Sequence, residues 1–140
     1  MIEAAVEGAG TGCGVLAVTV LTSLDQSALS TALGKAVTSM SDEVSRVAGI
    51  ARSAGAHGVV CSGQEAARIA SEYDRELAIL VPGVRLPGDS ANDQSRVVTP
   101  RDAVAAGATY LVLGRTVTAA GDPIAAMRKV LHEMALGAAA

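Results

Sequence analysis

Four short apolar runs, at residues 15–21, 58–61, 77–81 and 110–113, punctuate an otherwise mixed chain. Each is rich in Val, Leu or Ile and lacks clean polar alternation. That pattern predicts strands of a parallel sheet covered on both faces. Between them the apolar spacing becomes helical. In residues 41–54, Val44, Val47, Ala48 and Ala51 fall on one face of a helix. Ser41 is the expected N-cap, Asp42 and Glu43 suit the positive end of the helix dipole, and Gly55 marks the stop. Residues 63–72 predict a shorter helix. Thr99-Pro100-Arg101-Asp102 and Asp122-Pro123 are start signals for two more, the second running to Leu136 with a frayed tail at 137–140. Residues 1–8 read as the tail of a helix whose beginning is missing.

Ala54-Gly55-Ala56 and Ala106-Gly107-Ala108 each place a helix end, a glycine and a turn before an apolar run, a weak internal repeat. The order is therefore the tail of a helix followed by four βα units in one domain. Such alternation predicts a parallel sheet with right-handed crossovers. Two connections, residues 22–40 and 82–98, are long and carry no regular pattern. Both follow strands, on the face where β/α proteins bind ligands, and structureless loops of about 17 residues in compact domains are usually functional.

Composition sharpens this picture. Of 140 residues half are hydrophobic, yet there is no Phe or Trp and the aromatics are Tyr73 and Tyr110. The core must come from Ala, Val, Leu and Ile, which suits buried parallel strands. A net charge of −3 and the absence of any basic run argue against a nucleic-acid partner. No apolar run approaches the ~20 residues of a membrane helix, and no signal peptide is visible, so a cytoplasmic chain without a membrane partner is expected. Cys13 and Cys61 have no metal-ligand spacing; Cys61 ends an apolar run and reads as a buried free thiol.

The candidate chemistry gathers late in the chain. Tyr110-Leu111-Val112-Leu113 ends in Gly114-Arg115. Glycine lets a ligand approach the backbone, and arginine presents a rigid fork of donors that fits phosphate. Alone, Arg115 suits a surface ion pair equally well. The loop at 82–98 supports the ligand reading, because Arg85, Gln94 and Arg96 add donors beside it and the loop is long enough to cover a phosphate. Thr22 and Ser23, past the first strand, suit either a turn or a ligand contact. His57 precedes its strand and His132 lies inside the last helix, both away from the ligand face. Lys35 falls in a solvated loop and Lys129 on the last helix. No strand body carries an acid or a lysine, so a complete acid/base set is hard to assemble from this chain.

Together these segments resemble the carboxyl half of bacterial orotidine 5′-phosphate decarboxylase. The matching stretches are Val18-Thr19-Val20-Leu21-Thr22-Ser23, Gly58-Val59-Val60-Cys61-Ser62 with Gln64-Glu65-Ala66, and Val81-Pro82-Gly83-Val84-Arg85. Further along come Gly88 with Asp93-Gln94-Ser95-Arg96, Thr99-Pro100, Gly114-Arg115-Thr116-Val117-Thr118 and Asp122-Pro123. The resemblance implies half of a TIM (β/α)8 barrel, with residues 1–140 forming the end of the fourth helix and βα units five to eight. It implies that Thr22 contacts the pyrimidine, Pro82 packs near the base, and Arg85 and Gln94 reach substrate and phosphate from the lid. Gly114 by its backbone and Arg115 by its fork would make the phosphate site.

The resemblance also implies no metal or organic cofactor. The family's Asp/Lys network, including a D-x-K-x-x-D motif, belongs to the first half of the barrel and does not occur here. No catalytic residue is therefore expected in this chain. Four βα units cannot close a barrel, so edge strands and an apolar inner face would stay open. The implied partner is an amino-terminal half-barrel chain carrying D-x-K-x-x-D, with orotidine 5′-phosphate and UMP as ligands and an oligomer of the assembled barrel. A start at Met1 within the fourth helix fits either a naturally split gene, which is the expectation, or the cut of an engineered fragment. The alternatives are a non-catalytic phosphate-binding half-barrel, self-associated as a homodimer, and a relative acting on another sugar phosphate.

Overall fold

The computed structural model describes residues 1–88 and 96–139. Four strands, β1 (Leu16–Val18), β2 (Gly58–Val60), β3 (Ala78–Val81) and β4 (Tyr110–Leu111), form one parallel sheet in the order β1-β2-β3-β4. Seven helices surround them among the described residues: α1 (Ile2–Ala9), α2 (Gln26–Leu33), α3 (Met40–Ser53), α4 (Gly63–Glu72), α5 (Pro100–Ala105), α6 (Arg115–Thr118) and α7 (Pro123–Ala138). All four expected strands are present, each shorter than or equal to its apolar run.

Local chemistry explains most boundaries. The Thr99 hydroxyl accepts from Asp102 N at 3.1 Å and opens α5, with Pro100 at its first position. The Asp122 carboxylate accepts from Ala125 N at 2.9 Å and opens α7. Gly55 and Gly107 follow α3 and α5 with φ of 80° and 93°, the left-handed conformation that stops a helix, so the repeated Ala-Gly-Ala is a repeated exit turn. Three expectations need correction. Ser39, not Ser41, caps α3, accepting from Asp42 N at 3.1 Å, while the Ser41 hydroxyl accepts from Arg68 Nη1. The connection at 22–40 is not structureless: it holds α2, capped by the Asp25 carboxylate on Ala28 N. The carboxyl tail does not fray from 137, because α7 continues to Ala138 and Gly137 is buried against α5, where an added Cβ would lie 2.3 Å from Arg101 O.

The two faces of the sheet differ. On the helix side Ala17, Val59, Ile79 and Val81 are buried against Val44, Ala48 and Ala51 of α3, Ala66 and Ile69 of α4 and Ala103 of α5. Alanines at the helix contacts let these layers approach closely without aromatics. On the opposite side the register lines up Val18, Val60, Leu80 and Tyr110 in one row. Val18 is 54% exposed, Tyr110 47% and Val112 beyond it 44%. The expectation of cover on both faces therefore holds for one face, and the other is an open apolar row. Among the described residues β1 and β4 are the sheet edges. No helix among those residues is long and apolar enough to cross a membrane.

Candidate functional site

Each βα turn at the carboxyl ends of the strands contributes one piece of a shared surface. After β1 the chain makes a tight turn in which Leu24 N donates to Leu21 O at 3.0 Å, and Thr22 within it is 8% exposed. Ahead of that turn the Thr19 hydroxyl donates to Val60 O at 2.8 Å, tying β1 to β2 beyond the last ladder pair. After β2, Cys61 and Ser62 are fully buried, and the Ser62 hydroxyl accepts from Gln64 N to cap α4. After β3, Pro82 and Gly83 turn the chain, Gly83 with φ 73°. Val84 then pairs with Val98 across the base of the long loop, closed by Arg85 N donating to Val98 O at 2.9 Å. The loop is thus rooted as a small two-legged stem.

One carbonyl links this stem to the last βα turn. Val84 O accepts from Arg85 Nη1 at 2.8 Å and from the buried Thr116 hydroxyl at 3.0 Å. Arg85 and α6, which begins with Arg115, therefore meet around a single backbone oxygen. Gly114 precedes α6 with φ −95°, and a Cβ there would meet no atom within 4 Å. Crowding does not require glycine at this position, so what the missing side chain leaves is open space beside Arg115. Arg115 itself is exposed.

The structure thus brings Arg85, Gly114 and Arg115 together through Val84 and Thr116, and places Thr22 and Pro82 on the same end of the sheet. Gln94 lies outside the described residues. His57 sits at the opposite end of β2, exposed and against Gly14, and His132 is exposed on α7. Lys35 reaches Glu43 at 3.4 Å on the exterior. None of the four strands carries Asp, Glu or Lys, and among the described residues no three His, Cys, Asp or Glu gather as metal ligands.

One feature of the site escaped the sequence. Glu65, in the first turn of α4, and Arg96, at the end of the loop after β3, form a buried ion pair: Arg96 Nη1 donates to both carboxylate oxygens at 2.9 Å. Arg96 Nη2 also donates to Leu21 O at 3.2 Å. Partners 31 positions apart in a chain give no periodic signal. Cys61 lies behind the pair. Burial, helped by the Glu65 charge and opposed by Arg96, pushes its thiol up to about 12, so it stays protonated and inert.

Comparison with known proteins follows the same outline. The family model described as "Orotidine 5'-phosphate decarboxylase / HUMPS family" matches residues 1–130. A protein of Neisseria meningitidis named orotidine 5′-phosphate decarboxylase is 47% identical over 134 residues, covering 93% of this chain and 54% of that protein. Its namesake in Nitrosococcus oceani is 48% identical over 120 residues, covering 86% of this chain and 51% of its own length. The solved structure of orotidine 5′-phosphate decarboxylase from Lactobacillus acidophilus superposes with a TM-score of 0.77 at 30% identity, over 96% of this chain and 58% of that one. The chain therefore spans about half the length of the curated relatives it matches, and its four-stranded sheet is half of a (β/α)8 barrel.

Proposed function

The chain belongs to the orotidine 5′-phosphate decarboxylase / HUMPS family, and from that premise we propose that it is the phosphate- and pyrimidine-binding half of a split orotidine 5′-phosphate decarboxylase. An amino-terminal half-barrel on a separate chain supplies the Asp/Lys network with its D-x-K-x-x-D motif. The single observation that carries this reading is the open apolar row through Val18, Val60, Leu80 and Tyr110, on a sheet whose strands hold no acid or lysine. A barrel interior is normally filled by side chains from all its strands, so this row needs a second half to cover it.

In the assembled enzyme Gly114 and Arg115 hold the phosphate, the backbone donating at close range and the guanidinium meeting two oxygens with its fork. Arg85 steadies the loop stem beside them, and Gln94 reaches over the substrate. Thr22 hydrogen-bonds the pyrimidine and Pro82 packs against the base. The partner's carboxylates face the scissile carboxylate. As the carbon–carboxylate bond breaks, CO2 leaves, its electron pair stays on the pyrimidine carbon, and the partner's lysine delivers a proton there to give UMP. The phosphate grip is remote from that carbon, and its binding energy is spent on holding the base where the partner's charges act.

Mixing the chain with an amino-terminal half-barrel bearing D-x-K-x-x-D tests this. Release of CO2 from orotidine 5′-phosphate is expected in the mixture and in neither component alone. Arg115→Ala should weaken substrate binding by about ten- to a hundredfold, the loss of a charged hydrogen bond of ~1.5–3 kcal/mol. A folded, assembled mixture without activity sinks the proposal. The same open row favours one other reading, a homodimer that binds sugar phosphates without catalysis. A tight dimer that ignores the amino-terminal half on sizing would support it.

A further inference from the structure

The buried pair Glu65–Arg96 has no part in the chemistry above, yet it sits between three pieces of the site. Arg96 is 7% exposed and Glu65 4%. Two charges in this position are costly to desolvate, and their attraction only repays that cost when the geometry is good. Here one nitrogen reaches both carboxylate oxygens at 2.9 Å, and the second is directed to a backbone carbonyl 75 residues away in sequence, Leu21 O. That carbonyl also closes the turn that carries Thr22, through Leu24 N. A second contact presses the same elements together: a Cβ on Gly63, two residues before Glu65, would lie 2.6 Å from the side chain of Val98, two residues after Arg96. The α4 first turn, the returning leg of the β3 loop and the β1 turn thus converge on one guanidinium.

We infer that Glu65 and Arg96 are positioning residues that lock the Thr22 turn against the stem of the β3 loop and so set the pyrimidine end of the site. The inference rests on the reading of Thr22 as a pyrimidine contact. Glu65 holds Nη1 from α4 and Nη2 holds Leu21 O, while the buried Nε has no hydrogen-bond partner among the described residues. Thr22 follows directly in the chain and is carried to one place. The phosphate end, built around Val84 O, Thr116 and Gly114, joins the opposite leg of that stem, and the hydrogen bonds of Glu65 and Arg96 reach none of these three groups. The pair should therefore govern recognition of the base and leave recognition of the phosphate alone.

Ligand pairs separate the two ends. UMP carries base and phosphate, and ribose 5-phosphate carries the phosphate alone; both are titrated by calorimetry into the full chain and its variants, with melting followed by circular dichroism. Arg96→Lys loses the fork, and Arg96→Met combined with Glu65→Leu replaces the pair by apolar groups, a change that often leaves stability intact. Both are expected to bind UMP about tenfold more weakly while binding ribose 5-phosphate as the parent chain does, since small misplacements of a contacting group are expensive. Glu65→Gln, which keeps an acceptor for Arg96, should recover most of the UMP affinity. Unchanged UMP binding by a folded double variant overturns the inference, and so does an equal loss for both ligands, which would mark a purely structural pair. A parent chain that binds ribose 5-phosphate but gains nothing from the base removes Thr22 from the pyrimidine site. One that binds neither ligand removes the phosphate reading beneath it.

Discussion

Replacing Gly114 by alanine should cost ligand affinity without a packing clash. The added methyl would meet no protein atom within 4 Å. The methyl, however, stands where the proposed phosphate meets the backbone, and losing one hydrogen bond to a charged oxygen costs about 1.5–3 kcal/mol, or about ten- to a hundredfold in affinity for ribose 5-phosphate. Gly58→Ala is the control. A Cβ on Gly58 would lie 2.1 Å from Ala78 O in the neighbouring strand, so backbone must move and ~1–3 kcal/mol of stability is lost. Melting curves with and without ligand give stability and affinity, because a ligand at free concentration L stabilises the folded state by RT ln(1 + L/Kd). If folded Gly114→Ala still binds ribose 5-phosphate undiminished, the open space beside Arg115 is not a phosphate site.

Two further outcomes are expected. A thiol-alkylating reagent at pH 8 should add once, at the exposed Cys13, and reach Cys61 only after unfolding, since that thiol is buried and raised to about 12; peptide mass spectrometry reads the adducts, and early labelling of Cys61 contradicts its burial. Arg46, and then Lys35, hold the Glu43 carboxyl down to about 2 from its ordinary 4.5. A depressed carboxylate lends stability that is present above pH 4.5 and fades as pH falls towards 2, so Glu43→Gln should flatten the acid limb of a stability–pH curve between those values, and an unchanged limb would show that solvent screens the pair.

The parallel sheet was legible because its signal is local. Val59, Ile79 and Val81 sit in dense β-branched runs, and Pro100 and Pro123 with their capping Thr99 and Asp122 mark helix starts that need no tertiary information. The helix α2 was missed because its residues, Gln-Ser-Ala-Leu-Ser-Thr-Ala-Leu, present one buried side chain, Leu29, and so carry almost no periodic stripe. Asp25 was the signal that could have found it. Ser39 and Ser41 both precede acids, and the choice between them depends on backbone angles. Which face of the strands is covered could not be read, because Val18 and Tyr110 are as apolar as Ala17 and Ile79 although they face open space. The site followed the same division. Gly114-Arg115 declares itself by type and place, whereas Glu65–Arg96 exists only once two distant turns have been folded together.

The strand order carries a consequence for how such a molecule can be assembled. Every ladder joins a strand to the one immediately before or after it in the chain, so no segment is threaded between two strands made at different times. Each βα unit can dock on its predecessor as it leaves the ribosome, and the growing sheet needs no rearrangement when the next unit arrives. The seams along β1 and β4 are then the places where another protein, or another stretch of polypeptide, joins by simple addition of one strand to an edge. A fold laid down in strict sequence order can be exchanged or recombined in blocks at those seams, with the hydrogen-bonding pattern inside each block left as it was.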